Sequence, residues 1–145
     1  MRILSNEFIE EITYMKKNRE KAYGCYTTYS ISPLHTLSKF SIDSFINGKT
    51  KFGIASIDDV SIVLSELEGF DLEIISTEEI NLNDIENIKI KDKLLGDRII
   101  KILTFEKKYR FNMPKKTRIF DNAELRECFI DKLKFELNKN RIYLL

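Results

Sequence analysis

The spacing of apolar positions along the 145-residue chain changes period several times. Phe8, Ile9, Ile12 and Met15 recur at helical intervals behind Ser5 and Asn6, either of which can cap a helix. Glu7 sits in that first turn, where the positive end of the helix dipole favours an acid. A helix over residues 6–18 is predicted. Tyr23, Cys25, Thr27, Tyr29 and Ile31 then alternate with smaller or polar neighbours, the period of a half-buried strand. Ser32 and Pro33 read as a helix entry, cap and first position. Leu34, Leu37, Ile42, Phe45 and Ile46 form a stripe that stops at Asn47-Gly48, so a helix over 33–46 is predicted.

From residue 50 onward the pattern is one of short strands rich in Ile and Val: 51–57, 60–65, 70–76 and 85–90. Residues 98–105 and 109–113 form the clearest hairpin, turning at Glu106-Lys107-Lys108. Short strands repeating at about 8–12 residues predict an antiparallel barrel or sandwich. Asp121 or Asn122 caps a last helix over 122–138, with its apolar stripe on Leu125, Phe129 and Leu133. The fold class is α+β. The tail RIYLL can add an edge strand or dock on the barrel.

The order of these features carries a resemblance. Ile80, Leu82, Asp84 and Ile85 precede the Gly-containing turn Leu94-Leu95-Gly96. The hairpin residues Ile100, Ile102, Tyr109 and Phe111 follow, then a helix with Phe129 and Leu133. Over residues 50–137 the chain resembles the second half of a bacterial pleckstrin-homology-like (PH-like) domain. The resemblance implies a bent antiparallel barrel plugged at one open end by an amphipathic C-terminal helix. Residues 1–20 would be an N-terminal helical extension and 21–145 a single domain, with the 33–46 helix inserted among its early strands. It also implies a non-enzymatic binding or scaffolding module. Protein partners or self-association through sheet edges, added helices and tail are then the first expectation. Members that bind phosphoinositides usually carry basic residues between their first two strands; here that region offers Lys49 and Lys51.

Composition adds little: 43% apolar and 32% charged residues describe an ordinary soluble chain, and a cytoplasmic location is expected. MRILSNEFIEE turns acidic before a signal-peptide core forms. Cys25 and Cys128 lie far apart without metal-ligand spacing and are expected as buried, reduced thiols. His35 is the only histidine, which removes most Ser/His and Cys/His catalysis. The isolated glycines form no phosphate-cradling loop, so no cofactor is expected. The carboxylate pairs Asp71/Glu73 and Asp84/Glu86 could converge on a cation, but nothing selects either pair and a solvated strand face is the expected role.

Charge, in contrast, changes the picture. Residues 58–97 hold twelve Asp/Glu against three Lys, a balance of −9, and residues 98–118 hold eight Lys/Arg against Glu106, a balance of +7. Within EKKYRFNMPKKTR, strand alternation turns Tyr109, Phe111 and Met113 inward and Lys108, Arg110 and Asn112 outward. Lys107, Lys108, Arg110, Lys115, Lys116 and Arg118 are thus the candidate ligand-binding residues, for nucleic acid, anionic lipid or an acidic protein. The competing expectation is that the acidic segment neutralises them across the folded surface.

Overall fold

The computed structural model describes residues 3–13, 22–33, 50–118 and 120–139. Helix α1 spans Asn6–Thr13 and begins as the sequence predicts, the Phe8 amide donating to Ser5 Oγ at 3.2 Å. Positions 14–18 of the expected helix lie outside the described residues. Strands β1 (Tyr23–Pro33), β2 (Lys51–Ile57), β3 (Ser61–Leu67) and β4 (Ile74–Asn81) follow. A 3₁₀ turn, Leu82–Asp84, leads to β5 (Ile85–Asp92), β6 (Arg98–Thr104) and β7 (Lys107–Met113). Helix α2, Ala123–Lys139, is the last element among the described residues. None of the helices among the described residues is long and apolar enough to cross a membrane.

The expected helix entry at Ser32-Pro33 is a correction: both residues belong to β1. Pro33 is that strand's last residue, where a missing N–H costs least. The rest of the 33–46 prediction, His35 included, lies outside the described residues. The strand expected at 70–76 is also displaced, because residues 68–73 form a turn. Glu68 N donates to Glu73 O at 2.8 Å, Leu72 N to Glu68 O at 3.1 Å, and Leu72 takes a positive φ of 56°.

The seven strands among the described residues join one antiparallel sheet in the order β4-β3-β2-β1-β7-β6-β5. Its centre, β1, has two partners along different stretches. Tyr23 to Tyr29 pair with β2, and Thr28 to Pro33 pair with β7. Only Thr28 and Tyr29 are shared, so the sheet turns there into two wings, β2–β4 and β5–β7. The wings curl towards each other without closing, since β4 and β5 do not pair. Of the predicted barrel or sandwich, the barrel is therefore corrected: the sheet stays open. An ion pair links β4 to the start of β7, Lys107 Nζ lying 2.8 Å from Glu78 Oε1.

Two apolar clusters hold this shape. The concave face carries Tyr29, Leu64, Ile88, Ile100 and Phe111 against Phe129, Ile130, Leu133 and Leu137 of α2. On the convex side of the β2–β4 wing, Phe8, Ile9 and Ile12 of α1 pack on Ile54, Leu67 and Leu72. Gly24 permits this second contact, because a Cβ there would stand 2.0 Å from Thr13 Oγ1. Asn122 joins the layers. Its Oδ1 accepts from Tyr26 N at 3.0 Å, and its Nδ2 donates to Tyr26 O at 3.0 Å and Pro114 O at 2.9 Å.

Candidate functional site: a cationic sheet face

Alternation along β7 is as the sequence predicts. Tyr109, Phe111 and Met113 are buried in the concave core, and Tyr109 stacks on Phe111 with ring centroids 6.5 Å apart. The aromatic residues of EKKYRFNMPKKTR are therefore core. Burial foremost, and then Glu78, Glu106 and Asp84, push the Tyr109 phenol up to about 12.

The six candidate cations do not form one patch. The hairpin turns at Phe105-Glu106, so Lys107 opens β7 on the inward row and pairs with Glu78. For this residue the neutralising expectation holds. It lines a cleft of about 300 Å³ in the gap, together with Glu78, Glu79, Asp84, Thr104 and Glu106. Lys108 and Arg110 are half-buried on the convex face. Lys115, Lys116 and Arg118 are exposed beyond the far end of β7, roughly 20 Å from Lys107 by strand length.

What the register does assemble is a different set. Lys89 of β5 lies directly opposite Lys101 of β6, and Lys101 lies opposite Arg110 of β7. The line runs on to Ser30 of β1. Beside Arg110 a second hollow, about 180 Å³, is lined by Thr28, Ser30, Thr50 and Asn112. Asn112 Oδ1 is buried there without a hydrogen-bond partner. Lys101 is held below the usual lysine range, first by loss of water around its ammonium and then by Arg110, Lys89, Lys91 and Lys108. Like charges directly across strands cost about 0.2–1 kcal/mol each, so the sheet holds this row against repulsion.

Sequence reasoning missed Lys89, Lys91 and Lys101. The first two are counted inside the acidic segment, where its net charge hides them. The available signal was alternation in β5, which points Lys89 and Lys91 the same way and sends Ile88 and Ile90 inward. Both thiols are free, and Cys25 is buried as expected, but Cys128 is exposed on α2. Among the described residues no three His, Cys, Asp or Glu side chains group as metal ligands.

Fold and face together define an α+β open antiparallel sheet, closed on its concave side by a C-terminal helix and cationic on one convex wing. No protein-family model matches the chain, and no curated protein does. Among solved structures it is similar to the hSac2 domain from human phosphoinositide phosphatase Sac2. That likeness has a TM-score of 0.48 and 10% identity, covering 99% of this chain and 89% of that one. At this level it assigns no function, and the bacterial side of the resemblance gains no support from it.

Proposed function

We propose that this chain is a non-enzymatic binding module of PH-like type that takes an anionic partner on the convex face of β5, β6 and β7. The observation that carries this is the in-register row Lys89–Lys101–Arg110. Helix α1 covers the convex side of the other wing with apolar side chains, whereas Lys89 and Lys101 are exposed. An anion spanning the row would offset the mutual repulsion of these cations. Helix α2, packed on the concave face of the sheet, supports the PH-like part of the reading.

A single-stranded uridine 20-mer serves as a polyanion probe. Three phosphates neutralised on a single strand give a slope of about −2 in log K against log salt, a roughly 15-fold loss between about 50 and 200 mM. Reversing Lys89, Lys101 and Arg110 to Glu should abolish binding. Tight binding without salt dependence, or binding indifferent to the triple reversal, would overturn the reading.

A second reading, self-association, is favoured by the acidic cleft at Glu78, Glu79, Asp84 and Glu106, opposite in sign to the convex row. Light scattering at micromolar concentration tests it, and a monomer at every concentration would count against it.

A further inference from the structure

The β5–β6 turn carries apolar residues where nothing in the fold requires them. Gly96 N donates to Lys93 O at 3.0 Å and Lys93 N to Asp97 O at 2.8 Å, closing a three-residue loop of Leu94, Leu95 and Gly96. Gly96 takes φ +89°, the left-handed position such a loop demands of glycine. Its other two positions accept nearly any residue, and polar ones are usual. Here they are leucines, 104% and 93% exposed, the most exposed large apolar side chains among the described residues.

The tip is also braced. Arg126 of α2 donates through Nη1 to the Gly96 carbonyl and, at 3.2 Å, to that of Met113. Arg98, at the base of the hairpin, contacts Asp92 at 2.8 Å and Glu127 of α2 at 2.9 Å. The two leucines are thus held outward. Lysines surround them: Lys91 and Lys93 precede the turn, a Cβ on Gly96 would lie 3.5 Å from Lys115 Cδ, and Lys116 follows. Of the acids nearby, Asp92 and Glu127 are engaged by Arg98, Asp121 lies across an isolated bridge from Lys116, and Asp97 closes the turn.

A convex tip of two leucines cannot supply the ~800 Å² per partner that a stable protein interface buries. A bilayer needs no matching pocket, and anionic headgroups complement the lysine collar. We infer that Leu94 and Leu95 insert at the headgroup–acyl boundary of an anionic bilayer while Lys91, Lys93, Lys115 and Lys116 meet lipid phosphates. This rests on the anion-binding reading and names the bilayer as its partner.

The test uses the full chain with vesicles of phosphatidylcholine, alone or mixed with phosphatidylserine. Binding is expected only to the mixed vesicles. Leu94→Asp with Leu95→Asp should weaken it by about tenfold or more per leucine, while binding of the uridine 20-mer stays within about twofold. The chain has no Trp, so Leu95→Trp is a single reporter whose emission should shift to the blue on mixed vesicles. Binding that is unchanged in the double variant, or a Leu95→Trp emission that does not move, overturns the inference. A double variant that alters the monomer–dimer balance assigns the tip to a second copy and overturns it too. Wild-type protein that binds the 20-mer but neither vesicle refutes insertion and leaves the anion face standing; failure with every probe removes both.

Discussion

Replacing Asn122 by alanine removes three hydrogen bonds from a side chain with no solvent exposure. Their arrangement explains why they matter. Tyr26 lies just beyond the end of the β1–β7 ladder, at the place where the chain after Met113 is Pro114. Proline has no N–H to give, so the carbonyl of Tyr26 would lack a donor on that side. The Asn122 amide substitutes for the missing strand residue, with Nδ2 supplying the donor and Oδ1 the acceptor. Each such bond is worth about 1 kcal/mol net, and the Tyr26 and Pro114 backbone groups stay half-buried when it goes. The expected loss is about 3 kcal/mol. With a urea m-value of about 2 kcal/mol/M, the unfolding midpoint falls by about 1.5 M. Asn122→Asp, nearly the same shape, keeps the acceptor but sets a carboxylate against two carbonyls, and should lose at least as much at neutral pH. A loss below about 1 kcal/mol for alanine, at unchanged m, would show that the amide is not replacing a strand residue.

Arg126→Leu should destabilise the protein by about 2–4 kcal/mol, since two backbone carbonyls lose a charged donor, and should raise amide exchange at Gly96 first. In a thiol titration of the native protein Cys128 should react and Cys25 should not, burial having raised the Cys25 thiol; both react in urea. The Tyr109 phenol, raised from 10.0 to about 12, favours the folded state fully below pH 10 and loses that contribution as pH climbs to about 12. Absorbance at the phenolate band should therefore show a late-ionising tyrosine whose titration coincides with loss of structure, and Tyr109→Phe should flatten that alkaline decline.

Much of this fold is legible from alternation because inward positions are apolar over most of the sheet. Strands β2, β5, β6 and β7 and helix α2 lie within a few residues of their expected places. Strand β4 is the instructive miss. Only Ile80 of its residues is fully buried, and Glu78 faces the cleft at the open end of the sheet. Water reaches that row, so the strand carries no apolar period to read. Closure failed for a related reason: whether β4 meets β5 depends on curl set at Thr28 and Tyr29, which no local pattern encodes. The cationic row was illegible because it exists only in register. Lys89, Lys101 and Arg110 are scattered over 22 positions of sequence and become neighbours through two ladders.

The divided pairing of β1 also bears on how the chain folds. β2–β3–β4 and β5–β6–β7 are runs of consecutive hairpins whose partners lie close in sequence. Thr28 and Asn112, by contrast, must meet across 84 residues. Loop-closure entropy falls on that one seam, which makes the docking of β7 on β1 the slow, topology-limited event of folding. Asn122, 96 residues from Tyr26, can bond only once that seam has formed.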